Sequence, residues 1–165
     1  MIRAVKSIRK DKIAVLTNSS FLYRKDVQKD LLPADLVAVK LDAGSQEIFE
    51  AINHPFEDIS FDDVVSAIKD FKHMYKGKLA LQVMFMEENK KFAKEIAKVI
   101  REINPDEIQI NTPLRPCGVK PLPKKEIDKI KEYFKGLNTV SVYEALKKDI
   151  KPISDKDTLI RRGKI

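Results

Sequence analysis

Four short apolar runs, residues 13–17, 36–42, 79–86 and 107–111, alternate along the chain with segments whose apolar residues recur at helical spacing. This alternation constrains the fold most, because strand, crossover helix and strand pack as right-handed units with neighbouring strands parallel. The helical segments are expected over 1–10, 24–32, 45–52, the stretch after Ser60, 89–103 and 124–134. In the fourth, Phe61, Val64, Val65, Ile68 and Phe71 share one side and Gly77 lies beyond the end; in the fifth, Phe92, Ile96, Val99 and Ile103 face inward. Residues 139–143 alternate and read as a last edge strand. The expected fold is α/β, with about four parallel βα units plus a short extra edge strand. Either an open doubly wound sheet or an arc of a TIM-like barrel satisfies the order, and periodicity does not choose between them.

The run 36–42 is nearly continuous, broken by Lys40 and closed by Asp42, which suits a strand buried on both faces with its charge at the carboxyl end. Gly44 is expected to permit a tight turn and Ser45 to cap a short helix with Glu47 in its first turn. In α/β folds this is the end where ligands bind.

Residues 1–150 read as one domain and 151–165 as a basic tail. No run is long and apolar enough to span a membrane, and the first residues lack the apolar centre of a signal peptide, so a cytoplasmic protein is expected. Cys117 is the single cysteine, which excludes an internal disulfide and any cysteine-only metal site made by one copy of the chain. The net charge of +7 admits an RNA partner, yet the 32 Lys and Arg are interleaved with 25 Asp and Glu, the pattern of solvated helix faces. Such a Lys- and Glu-rich surface with only 5 glycines also suits a heat-adapted, thermophilic protein.

Polar residues collect at the strand ends. Thr17 and Asn18 follow the first run, Lys40 and Asp42 end the second, Gln82 lies late in the third, and Asn111, Thr112 and Arg115 follow the fourth. Amide, hydroxyl, carboxylate and guanidinium groups in one pocket suit a ribose, a base edge or a carboxylate. Asp42 has a second reading as the cap of its own turn, and Arg115, set between prolines in a loop holding four of the chain's 8, as a donor to loop carbonyls. Met84 and Met86 read as core filling. His54, His73 and Cys117 stand in no metal-ligand or nucleophile pattern, and neither G-x-G-x-x-G nor G-x-x-x-x-G-K-[ST] occurs.

Ile13-Ala-Val-Leu-Thr-Asn-Ser-Ser-Phe-Leu, Leu41-Asp-Ala-Gly-Ser, Ala51-Ile-Asn-His-Pro, Leu81-Gln-Val-Met and Ile108-Gln-Ile-Asn-Thr-Pro-Leu-Arg-Pro, in this order, resemble the second part of a radical S-adenosylmethionine (SAM) protein. The nearest group is the iron-sulfur oxidoreductase branch, related to pyruvate formate-lyase activating and wyosine-forming tRNA enzymes. The resemblance implies a partial (β/α)6 barrel, with these four strands as its third to sixth and SAM across their carboxyl ends. It implies Lys40 and Asp42 near the ribose and methionine moieties, Gln82 near the middle of the cofactor, Asn111, Thr112 and Arg115 on the adenine or substrate side, and Thr17 and Asn18 at the mouth. The family's C-x-x-x-C-x-x-C loop, which holds a [4Fe-4S] cluster, and its Gly-Glu motif have no counterpart here. A truncated form is therefore expected, not catalytic alone. Its partner is expected at the 13–17 edge, as a homodimer or as the N-terminal radical SAM half with the cluster. The alternative is a non-enzymatic module binding a nucleotide-like or SAM-like molecule, or RNA through the Arg161-Arg162-Gly-Lys164 tail.

Overall fold

The computed structural model describes residues 1–56, 58–115 and 117–145, so the tail expected over 151–165 lies outside the described residues. Five strands form one sheet in the order β1 (Ala14–Thr17), β2 (Leu36–Lys40), β3 (Lys78–Met84), β4 (Glu107–Asn111) and β5 (Thr139–Ser141), every pair parallel. Sequence order equals spatial order. With right-handed crossovers, that puts all the connecting helices on one side of the sheet and decides the closure: an arc of a barrel, not a doubly wound sheet.

The helices are α1 (Ile2–Ile8), α2 (Lys25–Leu31), α3 (Gln46–Asn53), α4 (Phe61–Met74), α5 (Ala93–Ile103) and α6 (Lys124–Glu132), with a 3-10 turn, Lys90–Phe92, leading into α5. Ser60 caps α4 as its position suggests, its Oγ accepting the Asp63 N–H. Ser45 stands at the N-cap of α3 without a side-chain bond. One apolar core joins Val37, Val39, Leu79, Leu81, Val83, Ile108 and Ile110 to Val64, Ile68, Phe71, Ile96 and Ile100 of the helices.

Residues 36–42 are not flanked by helices on both sides. The register sets Leu16, Ala38, Ala80 and Glu107 side by side, then Lys40, Gln82, Gln109 and Val140, then Met84 and Asn111. None of these belongs to the apolar cluster shared with the helices; Ala38 and Ala80 are buried within this face, and Leu16 is 69% exposed. A long apolar run in a parallel strand resembles a two-sided burial pattern; here Ala38 supplies the apolar residue on the open face.

The amino ends of the strands are clipped in a repeated way. Asp35, before β2, accepts the Ile13 N–H at 2.7 Å and pairs with Lys6 of α1 at 2.9 Å. Asp106, before β4, accepts the Leu79 N–H at 2.7 Å and pairs with Lys72 of α4 at 2.6 Å. Each carboxylate joins two strands and a helix, and the two units are related in structure with no repeat in sequence. Gly44 owes its place to space: its φ is ordinary, but a Cβ there would lie 2.9 Å from the backbone of Glu95 and Ile96. The glycine lets the β2–α3 turn touch the start of α5.

Candidate functional site

The carboxyl ends of β2 and β3 are held by one buried carboxylate. Asp42, 1% exposed, accepts the Met84 N–H at 2.7 Å and the Asn53 amide at 3.2 Å, and Lys40 reaches it at 2.9 Å. The turn-capping reading of Asp42 describes this geometry: one oxygen fixes β3, while the other holds the Lys40 ammonium over the open face. Asn89, fully buried, completes the lock. Its amide donates to the carbonyls of Asp42 and Met84 at 3.0 Å each, and its Oδ1 accepts the Met86 N–H at 2.8 Å. An asparagine heading a helical segment was the only sequence signal for this residue.

Along the open face Gln82 donates to Gln109 at 3.2 Å, and Gln109 to Glu107 at 2.9 Å; Glu107 also pairs with Lys78. The Lys78 ammonium and the Gln109 amide hold the Glu107 carboxyl below its ordinary range, against a smaller opposing effect of burial. The result is a ribbon of amides between two ion pairs, presenting donors and acceptors at once. Gln109 was not among the expected residues, although its place two before Asn111 marks the same side of the strand.

At the ends of β3 and β4 the face deepens into a cleft of about 490 Å³ lined by Gln82, Met84, Asn111, Thr112, Leu114, Arg115, Cys117 and Val142 among others. Met84 therefore walls the cleft and is not core filling. Thr112 is 3% exposed, and its hydroxyl accepts the Leu122 N–H at 2.8 Å, which folds the proline-rich loop back over β4. The structure thus brings Lys40, Asp42, Gln82, Asn111, Thr112 and Arg115 to one end of one face. Thr17 and Asn18 stand apart. Thr17 aligns with Val39 and Leu81 on the helix-covered side, and its hydroxyl accepts the Ser19 N–H at 3.2 Å; Asn18 accepts the Ser20 N–H at 3.2 Å. Both side chains shape the turn that carries Ser19, whose hydroxyl bonds the Lys40 backbone.

A [4Fe-4S] cluster does not fit the residues present. Cys117 is the one thiol, and among the described residues no three His, Cys, Asp or Glu side chains are grouped to hold a metal. The paired charges and the partly satisfied amides of the open face do suit an elongated polar ligand such as SAM. Among the described residues no helix is long and apolar enough to cross a membrane.

Solved structures share this architecture. A domain of pyruvate-formate lyase-activating enzyme from Bacteroides vulgatus superposes with a TM-score of 0.65 at 14% identity, over 85% of this chain and 88% of that one. The chain shares that domain's fold, an open α/β sheet of parallel strands. Streptococcus suis SuiB bound to S-adenosylmethionine superposes with a TM-score of 0.64 at 15% identity, over 85% of this chain and 35% of that one. No protein-family model matches. Among curated proteins, a GTPase Obg of Brachyspira hyodysenteriae is 31% identical over 96% of this chain and 25% of its own length. A UPF0026 protein of Methanocaldococcus jannaschii is 33% identical over 78% of this chain and 41% of its own length. The chain thus spans less than half the length of these curated relatives. It carries no P-loop sequence that would extend the first relative's name to it.

Proposed function

We propose that this chain is the SAM-presenting part of a radical SAM-type barrel. In this reading its cluster is held by a separate segment, in the same polypeptide or another, that pairs with the free side of β1. The observation that carries the reading is the open face: a polar row, Lys40, Gln82 and Gln109, on a one-sided parallel sheet whose structural neighbours include a protein bound to S-adenosylmethionine and a radical SAM methyltransferase. A sheet that packs only one face leaves the other for a ligand or a covering segment.

The chain's own contribution is binding and orientation. Lys40, steered by the buried Asp42, suits the carboxylate of the methionine moiety, while Gln82 faces the polar middle of the ligand. Asn111, Thr112 and Arg115 form the adenine or substrate side. Thr17 and Asn18 act on the mouth through the turn they shape. Leu16, exposed at the edge, gives the completing segment an apolar contact beside the unpaired strand backbone. Radical chemistry belongs to the assembled barrel, because the cluster does not fit this chain's side chains.

The test is to find, in the same or an adjacent reading frame, a segment with C-x-x-x-C-x-x-C and a Gly-Glu motif, and to produce it with this chain. Iron-sulfur absorbance and SAM cleavage requiring both parts are expected. A cluster-bearing segment that neither associates with this chain nor needs it would overturn the reading, as would a homodimer closed through β1.

A further inference from the structure

The cations of the open face are paired with one exception. Lys40 is held by Asp42, and Lys78 by Glu107. Arg115 lines the cleft at the β3 and β4 ends, where no acidic residue lies, and among the described residues it forms no ion pair or hydrogen bond. Among the described residues Arg115 has no bond to a loop carbonyl. Arg115 is exposed along the lining of the cleft, and a guanidinium without a partner among the described residues can grip planar or tetrahedral anions bidentately.

The rest of the cleft states the remainder of the ligand. Met84, Leu114 and Val142 supply apolar surface, and the amides of Gln82 and Asn111 stand at its inner side. Gln82 spends one N–H on Gln109, leaving its oxygen free to accept, and no bond is formed by the Asn111 side chain among the described residues. The cleft is open on one side, and its volume of about 490 Å³ has room for a small organic molecule against its wall.

We propose that this cleft is a second ligand subsite, beside the SAM row, that takes an organic anion: a carboxylate or phosphate monoester on Arg115, with an apolar body against Met84, Leu114 and Val142. The assignment rests on the open face being the ligand face. It adds that the substrate of the assembled protein is a small amphipathic anion, oriented by its charged end. Lys40 does not line this cleft, and Arg115 is its one cation among the described residues.

The experiment uses the full chain, 15N-labelled, titrated with phenylacetate, its neutral isostere phenylacetamide, and phenyl phosphate. The anions are expected to shift the amides of Met84, Asn111, Arg115 and Val142 and to bind about tenfold or more better than phenylacetamide, as expected where a charge-assisted contact is lost. Whichever of the two anions binds better identifies the headgroup. Arg115→Gln should bring the better anion down to the level of phenylacetamide, while Arg115→Lys should recover part of the difference. Equal binding of all three, no binding at millimolar concentration, or shifts lying elsewhere overturns the assignment. S-adenosylhomocysteine is titrated in parallel. If it does not bind while the anion does, the SAM reading fails and the subsite stands. If it binds and loses its affinity in Arg115→Gln, the cleft belongs to SAM and the second subsite is refuted.

Discussion

Replacing Asp42 by Ala tests the lock at the head of the site. Three bonds disappear: to the Met84 N–H at 2.7 Å, to the Lys40 ammonium at 2.9 Å and to the Asn53 amide at 3.2 Å. Lys40 is 38% exposed, so its share is screened and worth about 0.5–1 kcal/mol. The Met84 N–H, left without its acceptor at a part-buried position, costs about 1–3 kcal/mol. The longer Asn53 bond adds about 0.5–1 kcal/mol. The sum, about 2–5 kcal/mol, is a large share of the roughly 5–15 kcal/mol that holds a domain of ordinary stability. In urea, with a slope of about 2 kcal/mol per molar, the unfolding midpoint should fall by about 1–2.5 M. Asp42→Asn keeps an oxygen for Met84 and loses the ion pair, so it should cost about half as much. A loss under about 1 kcal/mol in Asp42→Ala, or equal losses in both variants, would refute the lock and return Asp42 to the role of a free ligand group.

Gly44→Ala should destabilise by about 1–3 kcal/mol, because the new methyl would press on the Glu95–Ile96 backbone; Gly118→Ala, with nothing within 4 Å, should change stability by less than about 0.5 kcal/mol, and chemical denaturation compares the two. Asp106 titrates below the ordinary carboxylate range: burial works against this, and the Lys72 ammonium and Leu79 N–H outweigh it. Its stabilisation is therefore present above the unfolded value of about 3.9 and is lost as pH falls through the lower folded value, so Asp106→Asn should flatten the acid limb of a stability profile. Burial, reinforced by the Asp35 and Asp106 charges, pushes Tyr75 up to about 12, so one of the 4 tyrosines should ionise last in an ultraviolet titration. Because the unfolded chain ionises near 10, Tyr75 favours folding below that value and loses this as pH rises towards about 12.

The strands and helices were legible in the sequence because each strand is a short apolar run and each helix has a striped face. The arc closure was not, because a half-barrel and a doubly wound sheet bury the same residues on their helix side. The open face went unseen for the same reason: Ala38 and Ala80 continue an apolar run, buried but on the side away from the helices. Of the site, the placement of Lys40, Gln82, Asn111 and Arg115 followed from their positions at strand ends. The link from Asp42 to Met84 joins residues 42 positions apart, and Asn89 acts through backbone groups of two strands, so neither leaves a local pattern. Thr17 and Asn18 show the ambiguity of such positions: polar residues at a strand end also satisfy turns, and only the register tells which side Thr17 occupies.

The most direct measurement is an amide shift map of the 15N-labelled chain on addition of S-adenosylhomocysteine. The account predicts shifts along the open face, at 40–42, 82–84, 109 and 111, with weaker binding in Gln82→Leu and Lys40→Met. Absent shifts, or shifts confined to the helix-covered hollow of about 390 Å³ beside Tyr23 and Asp63, would contradict it.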